Sequence, residues 1–259
     1  MGKNGVPNLG RVKSILISQP KPESPKSAYY DLARKFRVKI EFRPFINIEG
    51  IPAREFRRKK INPYFHGSII FTSRNSVDHF FRICDEMRIR MLEETKYFCI
   101  SEAIALYLQK YTQFRKRRVF FANGDMSDLC ELLKKHRGDG KFLLACSDVR
   151  MDVLPEFLAE NGFEFSEAVI YRTVPSDLSD IKDLTTAYDM VVFFSPSGVK
   201  SLFQNFPRFR QKGLRIGAFG PTTSKAVEAA GLQLDLQAPV PQAKSMTTAI
   251  SNYLRQVNK

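Results

Sequence analysis

The sequence predicts an α/β protein built on parallel sheets that helices cover on both faces. Three observations carry that prediction: short apolar runs of strand length, amphipathic stretches of helical period between them, and small polar residues at most strand-to-helix passages. Val12 to Ser18 is the first such run, followed by helical spacing over Ala28 to Arg37. Val38 to Phe42 and Phe45 to Ile48 read as extended, separated by Pro44, which lacks the N–H a helix or central strand needs. The strand-then-helix scheme returns as Ile69 to Thr72 with Val77 to Arg88, and as Lys96 to Ile100 with Glu102 to Gln109. Arg118 to Phe121 with Asp128 to Lys135 and Phe142 to Cys146 with Asp152 to Asn161 repeat it. So do Met190 to Phe194 with Val199 to Phe203 and Arg215 to Phe219 with Thr223 to Ala230.

An internal repeat separates two sheets from one barrel. Set above Val191 to Phe203, the segment Ile69 to Phe81 aligns Phe71 with Phe193, Ser73 with Ser195, Val77 with Val199 and Phe81 with Phe203. A barrel repeats at shorter intervals, so an offset near half the chain predicts two homologous α/β domains.

The 259 residues, 43% of them hydrophobic, are enough for two cores and exclude disorder as the main state. No apolar run approaches the roughly 18 residues of a bilayer span, residues 1 to 10 lack the apolar stretch of a signal peptide, and Val6 spoils a myristoylation signal. The expected location is the cytoplasm. Cys84, Cys99, Cys130 and Cys146 are widely spaced in apolar or helical contexts and read as reduced core residues. A formal charge of +14 points to a polyanionic partner. The densest basic clusters, Arg54 to Lys60 and Arg115 to Arg118, have the bland explanation of solvated helix ends. No nucleic-acid-binding motif accompanies them, so a nucleic-acid partner is not expected.

At the carboxyl end of a parallel strand, the free N–H groups of the following helix favour an anion. Ser73 to Ser76, Ser195 to Gly198 and Gly220 to Thr223 occupy that place. Each alone is explained by ordinary N-capping; two matched sets on two domains would face a ligand carrying several carboxylates across a cleft. The histidines, His66, His79 and His136, show no metal-ligand spacing, and no nucleophile elbow, P-loop or dinucleotide fingerprint is present. Tyr171, between an apolar run and Pro175, reads equally as a weak general acid or as a packed ring with a wet oxygen.

These residues together resemble the uroporphyrinogen-III synthase family. EAVIYRTVP at Glu167 to Pro175 is similar to the family's YxT segment, Val191 to Phe203 to its SPSxV segment, and Ile216 to Leu232 to its GPTT segment. Pro241 to Ile250 fits the approach to its terminal helix, while ILISQPKP at Ile15 to Pro22 and IIFTSRNSV at Ile69 to Val77 resemble its first-half motifs. The resemblance implies two flavodoxin-like domains joined by a two-stranded linker, with the active-site cleft between them. One domain would be 1–37 plus 176–259, the other 45–168, with 38–44 and 169–175 as paired linker strands. It implies a cofactor-free, metal-free lyase, a monomer, that cyclises hydroxymethylbilane to uroporphyrinogen III with inversion of ring D and loss of water. Tyr171 would assist departure of the hydroxyl. Ser195, Ser197, Gly198, Thr222 and Thr223 would hold propionates and acetates, largely through backbone N–H, with Arg215 at the basic position ahead of GPTT. Ser73 and Ser101 would be their opposite numbers. Departures stand at Gln19, at Ser101-Glu102 and at Cys146 to Asp148, where the family has other residues. They keep open a diverged noncatalytic protein that binds a tetrapyrrole or another polyanion.

Overall fold

The structure, a computed structural model, describes residues 10–149 and 152–258. The chain opens with β1 (Ser14–Ile17), α1 (Ala28–Phe36) and β2 (Lys39–Phe42). It continues through β3 (Ile46–Gly50), α2 (Ala53–Arg57), β4 (Ser68–Phe71), α3 (Arg74–Glu86), β5 (Lys96–Cys99) and α4 (Glu102–Tyr107). Then come β6 (Val119–Phe121), α5 (Met126–Lys134), β7 (Phe142–Ser147), α6 (Val153–Glu160) and the long β8 (Phe165–Pro175). The remainder forms α7 (Leu184–Ala187), β9 (Met190–Phe193), α8 (Pro196–Asn205), β10 (Arg215–Phe219), α9 (Pro221–Ala229), β11 (Leu236–Ala238) and α10 (Met246–Val257).

Two compact units result, one of residues 1–47 with 174–259 and one of residues 48–173. The first holds a parallel sheet ordered β11-β10-β9-β1-β2. Its strands are apolar on both sides because both sides are covered. Ile15, Ile17, Met190 and Val192 pack with Leu32 of α1 and Ile250 of α10. The alternate residues Leu16, Val191 and Phe193 pack with Leu202 of α8 and Val227 of α9. The period of 2 along each strand thus divides one apolar run between two cores.

The second unit is ordered β3-β8-β7-β4-β5-β6, and β4 to β8 pair in parallel. One face sets Ile69, Phe71, Tyr97 and Leu143 against Phe56, Phe80 and Ile83 of α2 and α3. The other sets Ile70, Phe98, Phe142 and Leu144 against Leu129 of α5 and Leu158 of α6. All six side chains of β7 are buried. Each fully buried Phe or Leu contributes on the order of 2 kcal/mol to holding these layers.

The expected pairing of 38–44 with 169–175 does not form. β2 pairs with β1, Ile15 opposite Ile40 and Ile17 opposite Phe42, and so extends the first unit's sheet. Ile40 and Phe42 rest on that unit's core, with the Phe42 ring 5.4 Å from Tyr29. β8 instead lies between β7 and β3. The apolar side chains of β2 therefore hold it in the sheet, and the extended segment after Pro44 runs on to flank β8. The four cysteines are buried, as their contexts predict, and burial pushes the Cys84 and Cys99 thiols up to about 12. Among the described residues no helix is long and apolar enough to cross a membrane, and no cluster of His, Cys, Asp and Glu could hold a metal ion.

Candidate active site

In a doubly wound sheet, ligands bind beyond the carboxyl ends of the strands where the winding reverses. In the second unit the chain runs from β4 outward through β5 and β6, then returns to β7 and runs the other way to β8, so the reversal lies between β4 and β7. Ser73 follows β4 and caps α3: its Oγ accepts the Ser76 N–H at 3.0 Å, and the Ser73 N–H reaches back to Ser76 Oγ at 3.2 Å. This reciprocal cap leaves the N–H groups of Arg74 and Asn75 at the exposed helix start.

Tyr171 stands beside that cap. Along β8 the partner of Cys146 is Val169 but the partner of Ser147 is Tyr171, so β8 carries one extra residue. The bulge breaks the alternation and turns both Ile170 and Tyr171 inward. The phenol, 7% exposed, places its oxygen 3.1 Å from Ser73 Oγ, and its ring stacks on His79 with centroids 5.2 Å apart. Burial raises its pKa above the ordinary 10.0, outweighing the Ser73 hydrogen bond that lowers it, so the phenol keeps its proton at neutral pH. The loop after β7 is tied around it. Asp148 accepts from the N–H groups of Val149 at 2.9 Å and Thr173 at 3.0 Å, while its own N–H donates to the Tyr171 carbonyl. Tyr171, Thr72, Ile100, Cys146 and Ser147 line a pocket of about 260 Å³. A buried proton donor thus sits at the mouth of a mostly apolar pocket, next to a helix start.

Ser101 follows β5, one strand further out, and lies at the N-terminus of the short α4 with no side-chain cap bond. The exposed Glu102 follows it, and Ser101 is bridged to Asn123.

In the first unit the reversal falls between β1 and β9. Ser195 follows β9 and caps α8, with Pro196 at the first helical position. Its Oγ accepts the Gly198 N–H at 3.1 Å, so that donor is already engaged, and Gly198 leaves the set expected to bind through backbone N–H. Ser197 keeps its place, half-buried with its N–H toward the helix start. Gly220 precedes α9 at φ +88°, a backbone that disfavours any side chain, and no side chain caps that helix. Thr222 is exposed there, whereas Thr223 is 1% exposed and forms part of the wall.

Arg215 is a correction of a different kind. It is the first residue of β10, whereas Gly220 follows the last, so the two mark opposite ends of the strand, roughly 16 Å apart at about 3.3 Å per residue. Its guanidinium is buried, donating to the Gly10 carbonyl and, at 3.1 Å, to the Tyr253 hydroxyl. It fastens the amino-terminal edge of the sheet. The basic residues 57–60 are exposed around buried Phe56, which is the solvated helix end anticipated above.

Two residues beside Tyr171 were absent from the expected set. His79 and Arg82 follow Ser73 and Ser76 at a spacing of three on α3, and that face was legible in the sequence. What the sequence did not show is that the bulge of β8 brings the phenol onto it.

A family model described as Uroporphyrinogen-III synthase HemD matches residues 27–248. A uroporphyrinogen-III synthase of Chlorobaculum parvum is 24% identical, over 94% of this chain and all of that protein. The Saccharomyces cerevisiae uroporphyrinogen-III synthase is 32% identical over 44% of this chain and 46% of its own length. The crystal structure of uroporphyrinogen-III synthetase from Helicobacter pylori superposes with a TM-score of 0.59 at 18% identity, over 94% of this chain and 99% of that one.

Proposed function

The chain belongs to the uroporphyrinogen-III synthase family, and from that premise we infer that Tyr171 is its proton donor and that the helix starts after β4, β9 and β10 hold the substrate's carboxylates. The activity is that of a lyase which cyclises a linear tetrapyrrole. The substrate is hydroxymethylbilane, with a terminal hydroxyl and eight carboxylates. The Tyr171 O–H passes its proton to the departing hydroxyl, which leaves as water, and the resulting azafulvene carbon is attacked by the substituted carbon of ring D. A spiro intermediate then opens and recloses with ring D inverted. Most of the work is geometric, because a flexible chain must be held in a cyclisable turn while uninverted closure is prevented.

The observation that carries this reading is the buried phenol at the winding reversal, protonated at neutral pH and hydrogen-bonded at 3.1 Å to the residue that caps α3. A hydroxide is a poor leaving group, and a positioned acid typically contributes about 10²–10⁴-fold to such a step. Ser73, Ser195, Ser197 and Thr222 supply capped or open helix starts for anionic groups, with Ser101 and Thr223 beside them. No metal or cofactor enters this scheme. The relatives bear an enzyme's name throughout, which favours the catalytic over the noncatalytic reading.

The test generates hydroxymethylbilane in place, oxidises the products and separates the porphyrin isomers by chromatography. Isomer III should predominate with the wild-type chain and fall toward the isomer I of spontaneous closure in Tyr171→Phe. An unchanged isomer ratio and rate in that variant would remove Tyr171 from the chemistry.

A further inference from the structure

Arg82 makes more directed contacts than any other side chain near the phenol. Its Nε donates to Nδ1 of His79 at 3.1 Å, and its Nη2 donates to the carbonyls of Ile51 at 2.9 Å and Ile170 at 3.1 Å. Its Nη1 pairs with Glu86, whose other carboxylate oxygen accepts the Ala53 N–H at 3.1 Å. The guanidinium lies close against Gly50, where an added Cβ would stand 2.7 Å from its Cζ. One arginine therefore grips the backbone on both sides of the β3–β8 edge, including the residue just before Tyr171.

His79 completes the link. Arg82 has only donors, so Nδ1 of His79 must accept, which leaves the imidazole neutral with its proton on Nε2. That neutral ring covers the Tyr171 ring at 5.2 Å and 22°. The charged and titratable groups facing it are Arg82 and Asp78 from its own helix and Tyr171 from β8, with Glu86 beyond Arg82 and Asp148 beyond the phenol. Burial and then the Arg82 charge lower the His79 pKa, against a smaller raising effect of Asp78. An imidazolium could not accept from Arg82 and would place a second cation at 3.1 Å from it.

We propose that Arg82 and His79 are positioning residues for Tyr171: Arg82 fixes the β8 backbone and the neutral His79 ring, and that ring holds the phenol in the one rotamer that meets Ser73. The proposal rests on the role of Tyr171 given above. It predicts that activity becomes sensitive to His79 protonation only when the Arg82 grip is loosened.

Gly50→Ala loosens it without touching His79 or Tyr171, because the added methyl displaces the flexible guanidinium. The full chain and its variants are assayed with bilane generated in place, from about pH 5.5 to 9, a range that spans the ordinary histidine pKa. Gly50→Ala and Arg82→Met should lower kcat about tenfold with KM nearly unchanged. Both should also gain an acid limb below the ordinary histidine value of 6.5, since burial still holds the His79 pKa down. His79→Ala should lose a similar factor without that limb, and His79→Phe, which keeps a flat ring over the phenol, should recover most of it. Adding His79→Phe to Gly50→Ala should abolish the limb. If Gly50→Ala melts like wild type and keeps its kcat and pH profile while Tyr171→Phe is impaired, the positioning role is wrong and the Tyr171 assignment stands. If Tyr171→Phe itself keeps its kcat, the assignment falls and the proposal with it. Should Arg82→Met fail to fold, Gly50→Ala decides alone.

Discussion

At the winding reversal of the first unit, Ser195 caps α8 and its hydroxyl accepts the Gly198 N–H. At the corresponding reversal of the second unit, the same kind of serine cap is bonded to a buried phenol, which is in turn stacked on a histidine. All three histidines of the chain lie in the second unit. Two doubly wound sheets thus carry two chemical characters at their reversals. A helix start suffices to hold an anion, whereas proton transfer needs a titratable group whose environment fixes its protonation state. At the second reversal the acid comes from one extra residue in β8 and one face of α3.

That contrast can be broken most sharply at Tyr171. Tyr171→Phe should lower kcat by about 100-fold or more and erode the isomer III preference, because it removes the buried phenol proposed as the proton donor. Its partner prediction concerns pH. The wild-type kcat/KM should hold through the alkaline range and fall only above 10.0, since burial raises the phenol's pKa and it must be protonated to act. A falling limb well below 10.0 would assign the proton to another group.

Next in size is a stability effect that separates an edge-fastening residue from a binding one. Arg215→Ala should destabilise the chain by about 3 kcal/mol in urea unfolding, by leaving the Gly10 carbonyl and Tyr253 unpaired around a cavity, with KM nearly unchanged. A raised KM at unaltered stability would return Arg215 to the substrate site.

The two caps sharpen the comparison further. Ser195→Ala and Ser73→Ala should each cost about 1 kcal/mol of stability. Ser195→Ala should act on KM, by about fivefold, and Ser73→Ala on kcat, because only the Ser73 hydroxyl touches the phenol.

The smallest effect is acid sensitivity confined to the second unit. His66 is buried, its Nδ1 donating to the Asn62 carbonyl at 2.9 Å and its Nε2 without a partner, and burial lowers its pKa below the ordinary 6.5. The unfolded chain therefore takes up the proton first as pH falls, and stability that is complete above 6.5 is lost below it, by at most about 1.4 kcal/mol per pH unit. Hydrogen exchange should show β4 and β7 losing protection in that range before β1 and β9, and His66→Leu should cancel the difference.

Much of the fold was legible because parallel strands buried on both faces leave a plain mark. Phe142 to Cys146 and Met190 to Phe194 are continuous apolar runs, and β7 and β9 lie on them. Ser73 and Ser195 were legible as caps because a helix start limits which residues serve there. The destination of an extended segment was not legible: Lys39 to Phe42 has the same composition whether it joins β1 or crosses to another strand, and its packing against Tyr29 decides the matter. Arg215 misled because proximity in sequence to a loop hides strand direction, which sets the two ends of β10 apart. Tyr171 could be singled out but its role could not, since a β-bulge is a mismatch between two strands and neither strand's sequence reveals it alone.

The order of strands in the first unit bears on how the chain acquires its structure during synthesis. β1 is an interior strand of that sheet, flanked by β2 and by β9, yet the whole of the second unit is translated between β2 and β9. At ribosomal speeds of about 5–20 residues per second, the intervening segment takes several seconds or more to emerge. Throughout that delay β1 lacks its β9 neighbour, so Leu16 and Ile17 stay unpartnered on one side of the strand. β1 and β2, made before the nested unit, are among the last strands of their sheet to be completed, and the nascent chain is open to chaperones, or to misassociation, over residues 14–42.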